Sequence, residues 1–120
     1  MLSKSSLFLA AAVACFTACG SDSPTAPSAP ANVVITIEGT QGNMSFSPAS
    51  AAVRVGQTVA WMNADSISHE IAQDTAPGFS TPGIPPGATS NPVTITNAGI
   101  TGYHCTIHPS MIGTLNVTAF

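Results

Sequence analysis

The chain has 120 residues, enough for one domain around a single core. Only 6% are charged, 44% are hydrophobic, and the formal net charge is -3. Lys4 and Arg54 are the only basic side chains, which excludes a patch that could meet nucleic-acid phosphates and a polybasic membrane footprint.

The N-terminus has the order of an export signal. Met1 to Lys4 is a short positive start, and Leu7 to Ala14 is an apolar run that thins to small residues. That run is shorter than the ~20 residues a bilayer span needs. Phe16-Thr17-Ala18-Cys19, followed by Gly20, resembles the lipobox of bacterial lipoproteins, although Leu is usual where Phe16 stands. The resemblance implies cleavage before Cys19 and a lipid on that cysteine. A plain signal peptide cut near Ala18 is the alternative, and Cys15 is a second candidate, disfavoured by the Phe16 that follows it. From Gly20 to Asn32 the chain is mostly Ser, Pro, Ala and Thr, too polar and proline-rich to bury a core, so it reads as a semi-extended tether. The expected organisation is an export signal over 1–18, a lipid-attachment cysteine and tether over 19–32, and a folded domain over 33–120. The domain is expected in the periplasm or otherwise outside the cytoplasmic membrane, touching it only through Cys19.

The folded part reads as short strands. Val33, Ile35 and Ile37 alternate with Val34, Thr36 and Glu38, the period of a strand with one buried face. Gly39 to Gly42 is a turn, and Met44 with Phe46 predicts a second strand closed by Pro48. Val53 and Val55 lead to a turn at Gly56-Gln57. Thr58 to Asn63 is a stronger strand, with Trp61 as a core anchor. After a turn at Asn63 to Ser66, the residues Ile67, His69 and Ile71 share one parity. Pro77 to Pro92 is a proline- and glycine-rich irregular loop carrying Phe79 and Ile84. Val93 and Ile95 predict a strand, Asn97 to Gly99 a turn, and Gly113 to Phe120 a final strand. Tyr103 and Cys105 share the inward parity of the preceding strand, and His104 points away. With no long helical period, the pattern predicts an all-β, two-sheet sandwich.

The chemistry concentrates before the last strand, in Tyr103-His104-Cys105-Thr106-Ile107-His108-Pro109-Ser110-Met111. A thiol, an imidazole and a thioether lie there together, and His69 adds a second imidazole from upstream. Such a soft set selects copper or zinc over calcium or magnesium, and two imidazoles, a thiolate and a weak thioether are what a blue-copper site is built from. An exported chain lives where thiols oxidise, so a lone Cys105 needs a reason. A buried inert thiol and a Cys19–Cys105 disulfide are the other readings. Asp65, Glu70 and Asp74 show no EF-hand spacing and read as solvent-facing.

These stretches, with Val59-Ala60-Trp61-Met62-Asn63, resemble the cupredoxins, the small type I copper proteins, over residues 33–120. The short Cys-x-x-His-x-x-Met loop is most like that of amicyanin. The resemblance implies a Greek-key sandwich holding one type I copper. His69 and His108 would be the nitrogen ligands, Cys105 the thiolate and Met111 the axial thioether. It also implies an electron carrier rather than an enzyme. Relatives usually carry Asn after the first histidine, where it ties that strand to the cysteine loop. Here Glu70, when ionised, accepts hydrogen bonds but cannot donate them. Relatives often have Pro before that histidine, where this chain has Ser68.

The expected partner is a redox protein. It would dock on an apolar patch around His108 formed by Ile107, Pro109 and Ile112, with Pro82, Ile84 and Pro85 added from the long loop. A monomer is expected. A copper chaperone or storage module would use the same ligands, and an Ig-like binding domain would use none.

Overall fold

The computed structural model describes residues 30–119, so the expected export signal, Cys19 and most of the tether lie outside the described residues. Eight strands follow in order: β1 Val33–Ile37, β2 Phe46–Ser47, β3 Ser50–Arg54, β4 Thr58–Asn63, β5 Ile71–Gln73, β6 Val93–Thr94, β7 Gly99–Cys105 and β8 Ile112–Thr118. A single 3-10 turn, Gly42–Met44, precedes β2. Strands β2-β1-β4-β6 form one sheet and β3-β8-β7-β5 the other, which is the expected all-β sandwich.

Each sheet is mixed. β1 runs parallel to β4, with Ile35 beside Trp61 and Ile37 beside Asn63. β3 runs parallel to β8, with Val53 beside Val117. The alternation in sequence becomes two inner faces. Ile35, Ile37, Val59 and Trp61 come from one sheet, and Val53, Ile71, Tyr103, Cys105 and Leu115 from the other; all are buried. The turn from β3 to β4 requires a positive φ, and Gly56 supplies it at 91°.

Three expectations for apolar residues fail here. Met44 does not extend β2. It sits in the 3-10 turn, 70% exposed, because Gly42 takes a positive φ and Ser45 bonds back to the Gly42 carbonyl. Ile67 does not share a strand face with His69; the chain is still in a loop there, and Ile67 is 42% exposed. Within the long proline-rich loop, Ile84 is buried, so it cannot belong to an exposed docking patch.

The centre of the core is aromatic. Tyr103 meets Phe46 edge-on at 4.9 Å and Trp61 at 5.3 Å, and Trp61 also meets Phe79 at 5.4 Å. Tyr103 Oη and Trp61 Nε1 are buried without a hydrogen-bond partner among the described residues. Burial pushes the Tyr103 phenol from its ordinary 10.0 up to about 12, and the neighbouring indole offsets only part of this. The sign for stability follows from the raised value. The contribution is complete below pH ~10, where even the unfolded chain keeps its phenol protonated, and it is lost as pH rises toward ~12. Across that window the metal-free domain should lose roughly 2 to 3 kcal/mol. Tyr103 is the only tyrosine, so phenolate absorbance reports it alone. Urea midpoints followed over the same window should fall for the natural protein and stay flat for Tyr103→Phe. A phenol titrating near 10 in the folded state would contradict the assignment.

Candidate metal centre

The site lies at one end of the sandwich, where β5 meets β7 and β7 turns into β8. Cys105 ends β7 directly opposite Ile71 of β5. The loop after it is tight: Cys105 N–H donates to the Met111 carbonyl at 3.0 Å, and Met111 N–H to the His108 carbonyl at 2.9 Å. His69 reaches the site from outside any long strand. It exchanges two backbone hydrogen bonds with Ile84, at 3.1 and 2.7 Å, and this bridge fixes its direction. The proline-rich loop thus acts as a clamp for the upstream histidine.

The side chains of His69, Cys105 and His108 converge. Cys105 Sγ lies 3.7 Å from His69 Nδ1 and 3.8 Å from His108 Nδ1. The three donor atoms all lie within 4.8 Å of one another. The two imidazoles meet at a centroid distance of 5.3 Å. His69, Cys105 and Met111 are fully buried, and His108 is half-buried. Cys105 is a free, buried thiol, and Cys19 lies outside the described residues. A thiol facing two ring nitrogens, walled by apolar residues and a thioether-bearing loop, is a donor set that fits a soft thiophilic cation. It offers nothing to calcium or magnesium.

His104 points away from the centre, as expected, with Nδ1 2.6 Å from Asp74 Oδ1. Asp74 is exposed, as expected, whereas Asp65 and Glu70 are only half-exposed, and each of the three carboxylates has a partner. Asp74 holds His104. Glu70 Oε1 accepts from the Thr106 hydroxyl at 2.8 Å, and its carbonyl accepts from Thr106 N–H at 2.8 Å. The tie between the His69 segment and the cysteine loop therefore exists with Thr106 as donor, so an acceptor-only side chain at position 70 suits it. Asp65 Oδ2 takes His69 Nε2 at 2.9 Å. That imidazole, and next the Ser66 amide, hold the Asp65 carboxyl below the usual range.

Asp65 and Asn63 lie beside the centre through contacts that the sequence did not reveal. Asn63 is fully buried and donates to the carbonyls of Ile67 at 2.7 Å and Ile84 at 2.9 Å. Its Oδ1 accepts from Asp65 N–H at 2.9 Å. The available signal was the spacing, a carboxylate four residues before a histidine on a turn.

Known proteins of the same shape carry such centres. The model of the copper-binding proteins of the plastocyanin/azurin family matches residues 32–118. A novel purple cupredoxin from Nitrosopumilus maritimus superposes with TM-score 0.64 at 26% identity, over 72% of this chain and 100% of that one. A methionine-to-alanine variant of amicyanin in its Cu(I) form gives TM-score 0.60 at 27% identity, over 72% of this chain and 81% of that one. A reduced Cu(I) form, at pH 4, of a proline-to-glycine variant of amicyanin gives 0.62 at 28%, over 75% and 85%. A search of curated proteins found no match. With the fold, the donor set and the family model in agreement, the chain belongs to the copper-binding proteins of the plastocyanin/azurin family, the cupredoxins, and its centre is a single type I copper site.

Proposed function

We propose that this domain is a one-electron carrier and not a catalyst. In this reading His69, Cys105 and His108 would hold the copper through Nδ1, Sγ and Nδ1, and the Met111 thioether would be a fourth, weaker donor. Copper bound there supplies a Cu(II)/Cu(I) couple. The residues do the rest. The Cys105–Met111 loop and the Ile84 bridge keep the donors in one arrangement for both charge states. Burial of His69, Cys105 and Met111 keeps water from those donors, and only His108 is partly open. The observation that carries the reading is the 3.7 and 3.8 Å convergence of two imidazoles on a buried free thiol, with one imidazole half-buried at the protein's end.

His108 is the proposed electron port. Exposed Ile107, Pro109 and Ile112 surround it in sequence, and Met44 joins them because Gly42 packs beside Ser110. A redox protein with a flat apolar face is the proposed partner, met by a monomer. Arg54 is the only basic side chain among the described residues, so the encounter is not steered by positive charge. Pro109→Glu places a carboxylate in that face. Desolvating it at roughly 1 to 3 kcal/mol should slow electron transfer about tenfold or more. The potential should barely move. Stopped-flow rates at several salt concentrations, with voltammetry of the same variant, make the test. An unchanged rate with every partner tried points instead to copper handling.

The lipid anchor is also part of this proposal. The Ala18-Cys19-Gly20 junction and the proline-rich stretch after it support a domain tethered outside the cytoplasmic membrane. Mass spectrometry of the mature N-terminus should find a lipid on Cys19, and Cys19→Ala should leave the membrane fraction. An unmodified chain beginning after Ala18 refutes the anchor and leaves the copper site untouched.

A further inference from the structure

Only one carboxylate among the described residues touches a proposed ligand. His69 is fully buried, and its Nε2 lies 2.9 Å from Asp65 Oδ2 while its Nδ1 faces Cys105 Sγ at 3.7 Å. The ring therefore has one nitrogen for each neighbour. A carboxylate accepts and does not donate, so the proton sits on Nε2 and the Nδ1 lone pair points into the centre.

Asp65 is itself held. Its Oδ1 accepts Ser66 N–H at 2.7 Å, and its own N–H donates to Asn63 Oδ1 at 2.9 Å. Asn63 in turn binds the Ile84 carbonyl at 2.9 Å, the same carbonyl that receives His69 N–H. The carboxylate, the histidine and the loop that clamps it thus share one hydrogen-bond network. The Asp65 side chain is 19% exposed, so water reaches it but little lies between it and the ring.

We propose that Asp65 is a positioning residue of the metal centre, which sets the tautomer of His69 before metal arrives and biases the loaded centre toward its oxidised state. The inference rests on the copper reading above. The bias follows from charge: a fixed anion one ring away favours the more positive metal state. Outer carboxylates of this kind also raise the basicity of the ligating nitrogen, and their loss changes metal affinity roughly 10- to 100-fold.

The test uses two readouts. In the metal-free natural protein, long-range proton–nitrogen NMR should show His69 as the Nε2–H tautomer. Asp65→Ala should lose that preference and become a mixture. In copper-loaded protein, Asp65→Ala should weaken Cu(II) relative to Cu(I) binding about tenfold, a rise in potential of about 59 mV for one electron. Asp74→Ala removes an equal charge whose partner is His104, and it should leave the potential near that of the natural protein. A proton found on Nδ1 of His69 in the metal-free natural protein overturns the proposal. So does a potential that Asp65→Ala leaves in place, or moves no further than Asp74→Ala does. If the natural protein takes up no copper, the copper reading itself falls, and the NMR result still decides the tautomer.

Discussion

Cys105→Ser is expected to abolish the intense visible colour of the copper-loaded protein while the sandwich stays folded. The colour of a type I centre comes from charge transfer between a thiolate and Cu(II), and Cys105 carries the only thiol among the described residues. A serine hydroxyl is harder, less polarisable and far less acidic, so it cannot replace the thiolate. The substitution keeps the volume nearly constant at a fully buried position. The ring nitrogens lie 3.7 and 3.8 Å from Sγ, too far for a hydroxyl on a shorter bond to reach unless an imidazole shifts toward it. The metal-free variant should therefore lose about 1 to 3 kcal/mol and still fold. Visible and EPR spectra after copper loading, with urea unfolding of the metal-free form, provide the check. Retention of the same band would remove Cys105 from the ligand set.

The largest stability loss is expected at Gly113→Ala. Gly113 stands opposite Tyr103 in the β7–β8 pair, and the tyrosine ring lies over it. A Cβ at position 113 would drive into Tyr103 Cζ and Oη, closer than side chains pack. The ring has no retreat, because Phe46 and Trp61 hold it from two other directions. Overpacking of a locked core typically costs 1–3 kcal/mol, and this contact should reach about 3 kcal/mol or more. Urea unfolding of the metal-free domain measures it. In a double-mutant cycle with Tyr103→Ala most of the loss should vanish, since the ring is its cause. A loss below about 0.5 kcal/mol would mean that the sheet spreads here with ease, against the packing described.

Much of the fold was legible from periodicity. The inward residues of β1, β4, β7 and β8 follow from alternation, because a half-buried strand sorts its side chains by parity. The four proposed ligands were legible from chemistry, since an unpaired exported cysteine beside histidine and methionine has few other uses. Four features were not legible, each for a physical reason. The parallel pairing of β1 with β4 and of β3 with β8 depends on long crossovers, and local sequence does not encode them. Met44 and Ile67 fit the apolar alternation, but backbone turns beside them took the chain out of strand geometry. Asp65 looked like a surface charge because its value lies in the ring it meets, and only the Asn63 network brings the two together. Glu70 was legible as an acceptor, but its donor, the Thr106 hydroxyl, became visible only in three dimensions.

The Cys105–Met111 loop has a kinetic consequence. Three of the four proposed donors ride on one short loop closed by two backbone hydrogen bonds, while His69 hangs from the opposite side on the Ile84 bridge. Fraying at the β7–β8 turn would therefore release a thiolate, an imidazole and a thioether in one opening, leaving a lone nitrogen behind. The residence time of the metal is then governed by how often that turn opens, not by the strength of any single bond to it. The protected amides of Cys105 and Met111 are the clock on which that opening can be read by hydrogen exchange.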